Sequence, residues 1–243
     1  WLFLSHDEAL KNFEWMGGAK IIFNFAMHPD MKSGPYLRQN DIDLAIAEQI
    51  ENKDIYYVMM SSRMVYGSAS SDLYYCEEML PNPKSYYGQN KWIIEQALAK
   101  ALNSSRLTIL RIGNIFGFEQ GRDSFFGVML DTMARENLIR FDIAPDSQRD
   151  FLSIWRWAEY TLQIARNVKS GVYNIGAGFG VSPLELADWI FEDRNHKSVV
   201  FTNHSYDGQF ILDMSKSWDA FGLQPYTKID LKTDVKRILA AMR

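Results

Sequence analysis

The sequence predicts an α/β fold: a parallel sheet with crossover helices and a smaller second lobe. Three observations predict it. Short apolar runs rich in β-branched and aromatic residues, such as 20–26, 54–62 and 106–112, read as buried strands. Helical patterns separate them through the first half, as in a parallel sheet with crossover helices. The second half is more irregular, which suits a lobe packed over the strand ends.

KIIFNFA (20–26) opens the series as a strand, and the Pro- and Gly-containing MHPDMKSGP follows as a loop. Residues 37–52 carry Leu37, Ile42, Leu44, Ile46 and Ile50 at helical intervals. DIYYVMMSS (54–62) is the next strand and ends in small polar residues, and residues 66–84 read as irregular. A helix starts near Tyr86 and runs through EQALAKAL; RLTILRI (106–112) is a strand; a helix near 124–137 and a short strand near 138–142 follow. DFLSI (150–154) is extended, 155–167 is helical, and GVYNIG (171–176) is a strand ended by glycine. SPLELADWIF (182–191) begins with Ser182 and carries Glu185 three residues on, a capping box. VVFTN and QFILD read as short strands, and DLKTDVKRILAAM as an amphipathic C-terminal helix.

Composition narrows the function. The chain has 243 residues, enough for one large domain or a domain and a small lobe. A net charge of -4 gives no reason to expect nucleic acid or an anionic membrane as partner. The longest apolar runs are too short to span a bilayer, and the start of the chain does not read as a signal peptide. Cys76 is the only cysteine, so neither an internal disulfide nor a thiolate cluster is expected, and a reducing compartment fits. The four histidines have no ligand spacing, so no metal site is expected.

The chemistry concentrates in KSYYGQNKW (84–92). On a helix Tyr87 and Lys91 share one face. A nearby ammonium favours a phenolate and makes a tyrosine usable as an acid–base at an alcohol or ketone carbon. The same spacing also describes an ordinary helix start with an aromatic anchor and a solvated base. Upstream, Ser61-Ser62 end a strand, where ligands bind in open parallel sheets. A plain Ser-Ser turn is the competing reading.

Taken together, MMSSRMVYG (59–67) and NPKSYYGQNKWIIEQAL (82–98) resemble the extended short-chain dehydrogenase/reductase family, specifically its nucleotide-sugar epimerases and dehydratases. LTILRIGNIFG, QRDFLSI, GVYNIGAG and ILDMSKSWDAFGLQP are similar to further family stretches in the same order. The resemblance implies a Rossmann-like doubly wound parallel sheet with a smaller C-terminal α+β substrate lobe. It implies an NAD(P)-binding part over 1–145. Residues 146–243 would be mainly the substrate lobe, with some segments returning to the first part. It implies Ser62, Tyr87 and Lys91 as catalytic residues. Ala26, Asn40, Ser61, Tyr87 and Lys91 would contact the cofactor, with Asn40 supporting the active-site loop. Ser62, Asn114 and Arg149 would contact a nucleotide-sugar substrate, the last two at its diphosphate. Asn24 and Arg111 read as structural, Tyr86 as a packing residue and Arg122 as a loop charge.

The implied function is an NAD-dependent nucleotide-sugar epimerase in the cytoplasm, with NADP as a second cofactor option. A 4-ketoreductase using the same triad and a non-catalytic dinucleotide-binding or partner-binding relative are the alternatives. A homodimer through the helices near 37–52 and 86–101 is the family's common assembly, with Ile93, Ile94 and Ala97 read first as core.

The sequence departs from the family in three places. No Gly-x-x-Gly-x-x-Gly run occurs, so the first β-α-β unit reads as missing. Were Trp1 the true start, poor NAD binding and exposed apolar surface would be expected. Arg63-Met64 replaces the Asp-Glu pair of the 4,6-dehydratases, which argues against dehydration. Trp155-Arg156 replaces an acidic pair, which leaves the sugar open.

Overall fold

Apolar residues alternate about a strand axis, so a sheet covered on both faces needs apolar side chains at every position. Met59 and Met60 in the second strand, and Ile109 and Leu110 in the fourth, meet that need. In the computed structural model, which describes residues 6–69, 74–118, 125–192, 198–206 and 208–241, they form the centre of the main sheet. In chain order the elements are α1 (His6–Lys11), β1 (Ile21–Asn24), α2 (Asp30–Ser33), α3 (Ile42–Ile50), β2 (Tyr56–Ser62), β3 (Tyr74–Tyr75), α4 (Tyr86–Ala101), β4 (Leu107–Ile112), β5 (Asn114–Phe116) and α5 (Phe125–Glu136). They continue as β6 (Ile139–Phe141), β7 (Gln148–Arg149), β8 (Phe151–Ser153), α6 (Ile154–Arg166), β9 (Gly171–Ile175), α7 (Pro183–Phe191), β10 (Val199–Phe201), β11 (Gln209–Leu212), α8 (Ser215–Phe221) and α9 (Lys228–Ala241).

The main sheet has the order β1-β2-β4-β9, with every pair parallel. Tyr57, Met59, Leu107 and Ile109 pack on one face in a core shared with α3 and α4. Val58, Met60 and Leu110 pack on the other face in a core shared with α5, α6, α7 and α9. The expected doubly wound α/β architecture is thus the observed one. Among the described residues β1 pairs only with β2, and Leu10, Phe13 and Trp15 pack against the core beside it. Phe25, just past β1, is 61% exposed.

Three small sheets build the second lobe: β5 with β8, β6 with β10, and β3-β11-β7. They draw on both halves of the sequence. β3, β5 and β6 precede residue 145 but pair with later strands, while β9 returns to the main sheet. Local chemistry sets the helix starts. Side chains of Asp41, Ser85, Ser153 and Ser182 accept hydrogen bonds from the backbone N–H groups of Leu44, Gly88, Arg156 and Glu185. Only the first half of the expected capping box forms at Ser182. The Glu185 carboxylate reaches Lys228 of α9 instead, at 3.0 Å.

Several short elements were not read from the sequence, among them α1, α2, β3, β7 and α8. A two-residue strand has no period to detect. No helix among the described residues is long and apolar enough to cross a membrane.

Candidate active site

A cleft of about 770 Å³ opens beside the carboxyl ends of β1, β2 and β4. In open α/β sheets ligands bind in that crevice because crossover connections leave it uncovered. Ala26, Ser61, Ser62, Tyr87, Lys91 and Gly113 all line it. Residues from four separate segments thus meet in one cleft. Asn40, Asn114 and Arg149 do not line it.

The first turns of α4 carry Tyr87 and Lys91 on one face. Lys91 is 4% exposed, and its Nζ donates to the Met60 carbonyl at 2.6 Å. An ammonium has three N–H donors, so two remain for the cleft. The Tyr87 ring is half-buried, and its hydroxyl makes no hydrogen bond among the described residues. Ser62 ends β2 and caps the short 3-10 turn Arg63–Tyr66, its Oγ accepting from Met64 N–H at 3.2 Å. The serine O–H remains a donor into the cleft.

Ser61 is placed differently from the expectation. Neighbouring residues of a strand face opposite ways, and the Ser61 hydroxyl donates to the buried Glu95 of α4. Ser61 borders the cleft, but its hydroxyl is committed to Glu95. Arg111, opposite Ser61 in the β2–β4 register, closes the same buried cluster. Its Nη2 lies 2.8 Å from Glu95 Oε2 and its Nε 3.2 Å from Oε1, with the two side chains 4% and 2% exposed. The arginine is structural.

Asn40 does not support the cleft loop. It closes a 3-10 turn ahead of α3, held by a backbone bond to Leu37. The amide that braces the loop is Asn90, one residue before Lys91 and 1% exposed. Its Nδ2 donates to the carbonyls of Met31 at 2.8 Å and Gly34 at 2.9 Å. Sequence reading missed it, because its partners lie 59 and 56 residues away. Asn24 is a buried amide as well, donating to Asp43 Oδ1 at 2.9 Å, which also accepts from Tyr57. Burial raises the Asp43 pKa, and the Lys91 charge opposes the rise.

Asn114 and Arg149 sit in the second lobe and gather around Arg63. Arg63 Nε donates to Asn114 Oδ1 at 3.1 Å, and Asn114 Nδ2 donates to the Asp150 carbonyl at 2.8 Å. Arg149, 9% exposed, donates from Nη1 to the carbonyls of Gln148 and Gly208, both at 3.0 Å. The Asp150 carboxylate accepts from Ala177, Gly178 and Leu212 N–H groups, and burial pushes it up to about 6.

Other expected positions lie away from the cleft. Arg156 pairs with Glu159 at 2.9 Å and stacks over Tyr226, and Trp155 lies under Arg237 of α9. The Trp155-Arg156 departure therefore serves packing against α9. Tyr86 is 51% exposed, Ile94 is in the core and Ile93 is 37% exposed. Arg122 lies outside the described residues.

Gly88 explains how α4 comes so close to Ser62. A Cβ there would stand 2.5 Å from Met64 O and 3.1 Å from Pro83 Cβ. Backbone atoms cannot yield cheaply, so Gly88→Ala should cost about 1–3 kcal/mol and push Tyr87 away from Ser62. A thermal melt reads the loss, and a wild-type melting temperature would contradict this packing.

Comparison with known proteins extends the picture. The family model described as the RmlD substrate binding domain matches residues 39–207. A UDP-glucuronic acid 4-epimerase from Bacillus cereus, in complex with NAD, is 18% identical with a TM-score of 0.74; the match covers 93% of this chain and 77% of that one. A UDP-glucose 4-epimerase from Thermotoga maritima, with UDP-glucose, is 18% identical with a TM-score of 0.76, covering 98% and 82%. An NAD-dependent NDP-hexosamine 5,6-dehydratase of tunicamycin biosynthesis is 16% identical with a TM-score of 0.80, covering 96% and 80%. The fold is that of these proteins.

Proposed function

The chain belongs to the RmlD substrate binding domain family, and on that premise we propose that it is an NAD-dependent nucleotide-sugar epimerase. The observation that carries the reading is the convergence of Ser62, Tyr87 and Lys91 on one cleft at the strand ends. Relatives in fold bind NAD and UDP-sugars, which supports the same ligand classes here.

The cleft's volume lies within the roughly 300–1,000 Å³ of small-molecule sites. Its polar groups suit the ribose end of a nicotinamide dinucleotide: the Lys91 ammonium with two donors left and the Tyr87 hydroxyl. NAD, when bound, supplies the hydride acceptor and donor that no side chain offers. The chain's own residues do the rest. Tyr87 takes the proton from a sugar hydroxyl and returns it. Ser62 donates a hydrogen bond to the same oxygen as its charge changes. Lys91, anchored on Met60 O, holds positive charge beside the phenol. Asn114 and Arg149 take the diphosphate, which wants charge-assisted donors. In this reading residues 1–145 serve mainly the dinucleotide and 146–243 mainly the sugar nucleotide. Arg63 and Met64 follow Ser62, and a guanidinium and a thioether are poor proton donors and acceptors, so the reaction is not a dehydration. The enzyme would work in the cytoplasm. A homodimer would use the exposed face of α4 around Ile93.

Denaturing the purified protein and identifying the released small molecules tests the cofactor. NAD(H) retained through purification is expected of an epimerase, which regenerates its cofactor in place. Release of nothing, with NADPH consumed alongside keto-sugar nucleotides, would replace the epimerase by a ketoreductase.

A further inference from the structure

Asp43 lies in the first turn of α3, a helix that Asp41 already caps. A carboxylate is seldom fully buried unless it is paired or hydrogen-bonded, and Asp43 is 3% exposed. Its Oδ1 accepts from the Tyr57 hydroxyl at 2.8 Å and from Asn24 Nδ2 at 2.9 Å, and both donors are buried as well. Tyr57 belongs to β2, and Asn24 is the last residue of β1.

Asn24 passes the constraint on to the cleft. Its Oδ1 accepts from Ala26 N–H at 2.9 Å, and its Nδ2 also reaches the Ala26 carbonyl at 3.3 Å. One side chain thus grips the backbone two residues on, as Asn does where it ends a strand in a turn. The amide has one workable orientation. Flipped, its oxygen would face the Asp43 carboxylate and its NH₂ group the Ala26 N–H, acceptor against acceptor and donor against donor. Asp43 therefore decides which way Asn24 faces, and Asn24 decides where the Ala26 backbone stands. Asn24 and Ala26 both line the cleft. Across the β1–β2 register Asn24 pairs with Met59, and the next residue, Met60, supplies the carbonyl that anchors Lys91. The gripped end of β1 and the lysine anchor are neighbours in the sheet.

We infer that Asp43 is a positioning residue for the dinucleotide: through Asn24 it fixes the Ala26 wall of the cleft beside the Lys91 anchor. The inference rests on the dinucleotide reading of the cleft. Asp43 does not itself line the cleft, so it acts through the amide and not on a ligand. Tyr57 completes the hydrogen bonding of the carboxylate without touching Ala26.

Calorimetric titration of the full chain with NAD, and separately with UDP-glucose, tests it. Asp43→Ala should weaken NAD about 10-fold. UDP-glucose should bind as before, because Asn114 and Arg149, assigned to its diphosphate, lie in the second lobe. Asp43→Asn should bring NAD affinity back to within about threefold of wild type, since an amide oxygen still accepts from Asn24. Asn24→Ala should weaken NAD as Asp43→Ala does, and the two together should weaken it no further. Tyr57→Phe should lower the melting temperature and leave NAD affinity at the wild-type value. Unchanged NAD affinity in Asp43→Ala overturns the inference and leaves the dinucleotide reading standing. Equal losses for NAD and UDP-glucose, or a loss in Tyr57→Phe as large as in Asp43→Ala, make Asp43 a general support and overturn it too. A wild type that binds no NAD overturns the inference and the reading together. Should Asp43→Ala fail to fold, Asp43→Ala combined with Tyr57→Phe strands one buried donor fewer and takes its place in each comparison.

Discussion

Tyr87→Phe should lower turnover of a nucleotide sugar by about 10²- to 10⁴-fold, the usual contribution of a positioned acid–base. The melting temperature should stay where it is. The Tyr87 hydroxyl has no hydrogen-bond partner among the described residues, so its removal orphans nothing. The ring that packs at the start of α4 is retained. Binding of the sugar nucleotide should change little, because Asn114 and Arg149, assigned to its diphosphate, lie in the second lobe. Steady-state rates beside a melting curve check this. A variant with wild-type turnover would remove Tyr87 from the chemistry, and the reading of α4 would fall back to an aromatic anchor and a buried lysine.

Glu95→Ala should be the most destabilising single change near the site, by about 3–5 kcal/mol, the cost of stranding one partner of a buried ion pair. Arg111 would then keep its charge at 4% side-chain exposure, with the rings of Tyr66 and Trp92 for company and the Glu77 carbonyl 3.3 Å away. Ser61 would lose its acceptor too, so the end of β2 that carries Ser62 would loosen. Replacing Glu95 and Arg111 together by Leu and Met should cost much less than Glu95→Ala alone, since burying two charges is itself expensive. Denaturant melts of the single and double variants decide. Equal losses in both would mean that shape, rather than charge balance, is what the pair provides.

The candidate site residues and the main sheet were legible in the sequence because both have local signatures. Tyr87 and Lys91 are four apart on a predicted helix, and Ser62 ends an apolar run. Strands buried on both faces read as continuous apolar runs, so β1, β2, β4 and β9 were legible. What supports the site was less so. Asn90 acts on carbonyls of a loop more than fifty residues back. Arg63 finds its partner Asn114 51 residues on, and in the sequence it registered only as a missing acid. Asn40 drew attention by its place before α3, while the buried amide that does the bracing sits on α4. The second lobe interleaves strands from distant segments, as β3-β11-β7 does, and no window of sequence contains such a sheet. The helix α8 did leave a trace: Gly222 follows it in the left-handed region at φ 66°, the usual glycine stop.

The proposed reaction is hydride transfer at the cleft lined by Ser62, Tyr87 and Lys91. Its most direct test adds NAD and a panel of nucleotide sugars, UDP-glucose and UDP-glucuronic acid among them, to wild type and to Tyr87→Phe. The near-ultraviolet absorbance of reduced nicotinamide is the signal. A transient rise is expected with at least one sugar in wild type and none in Tyr87→Phe. A rise of the same size and rate in both, or a wild type that gives no signal while binding both ligands, would contradict it.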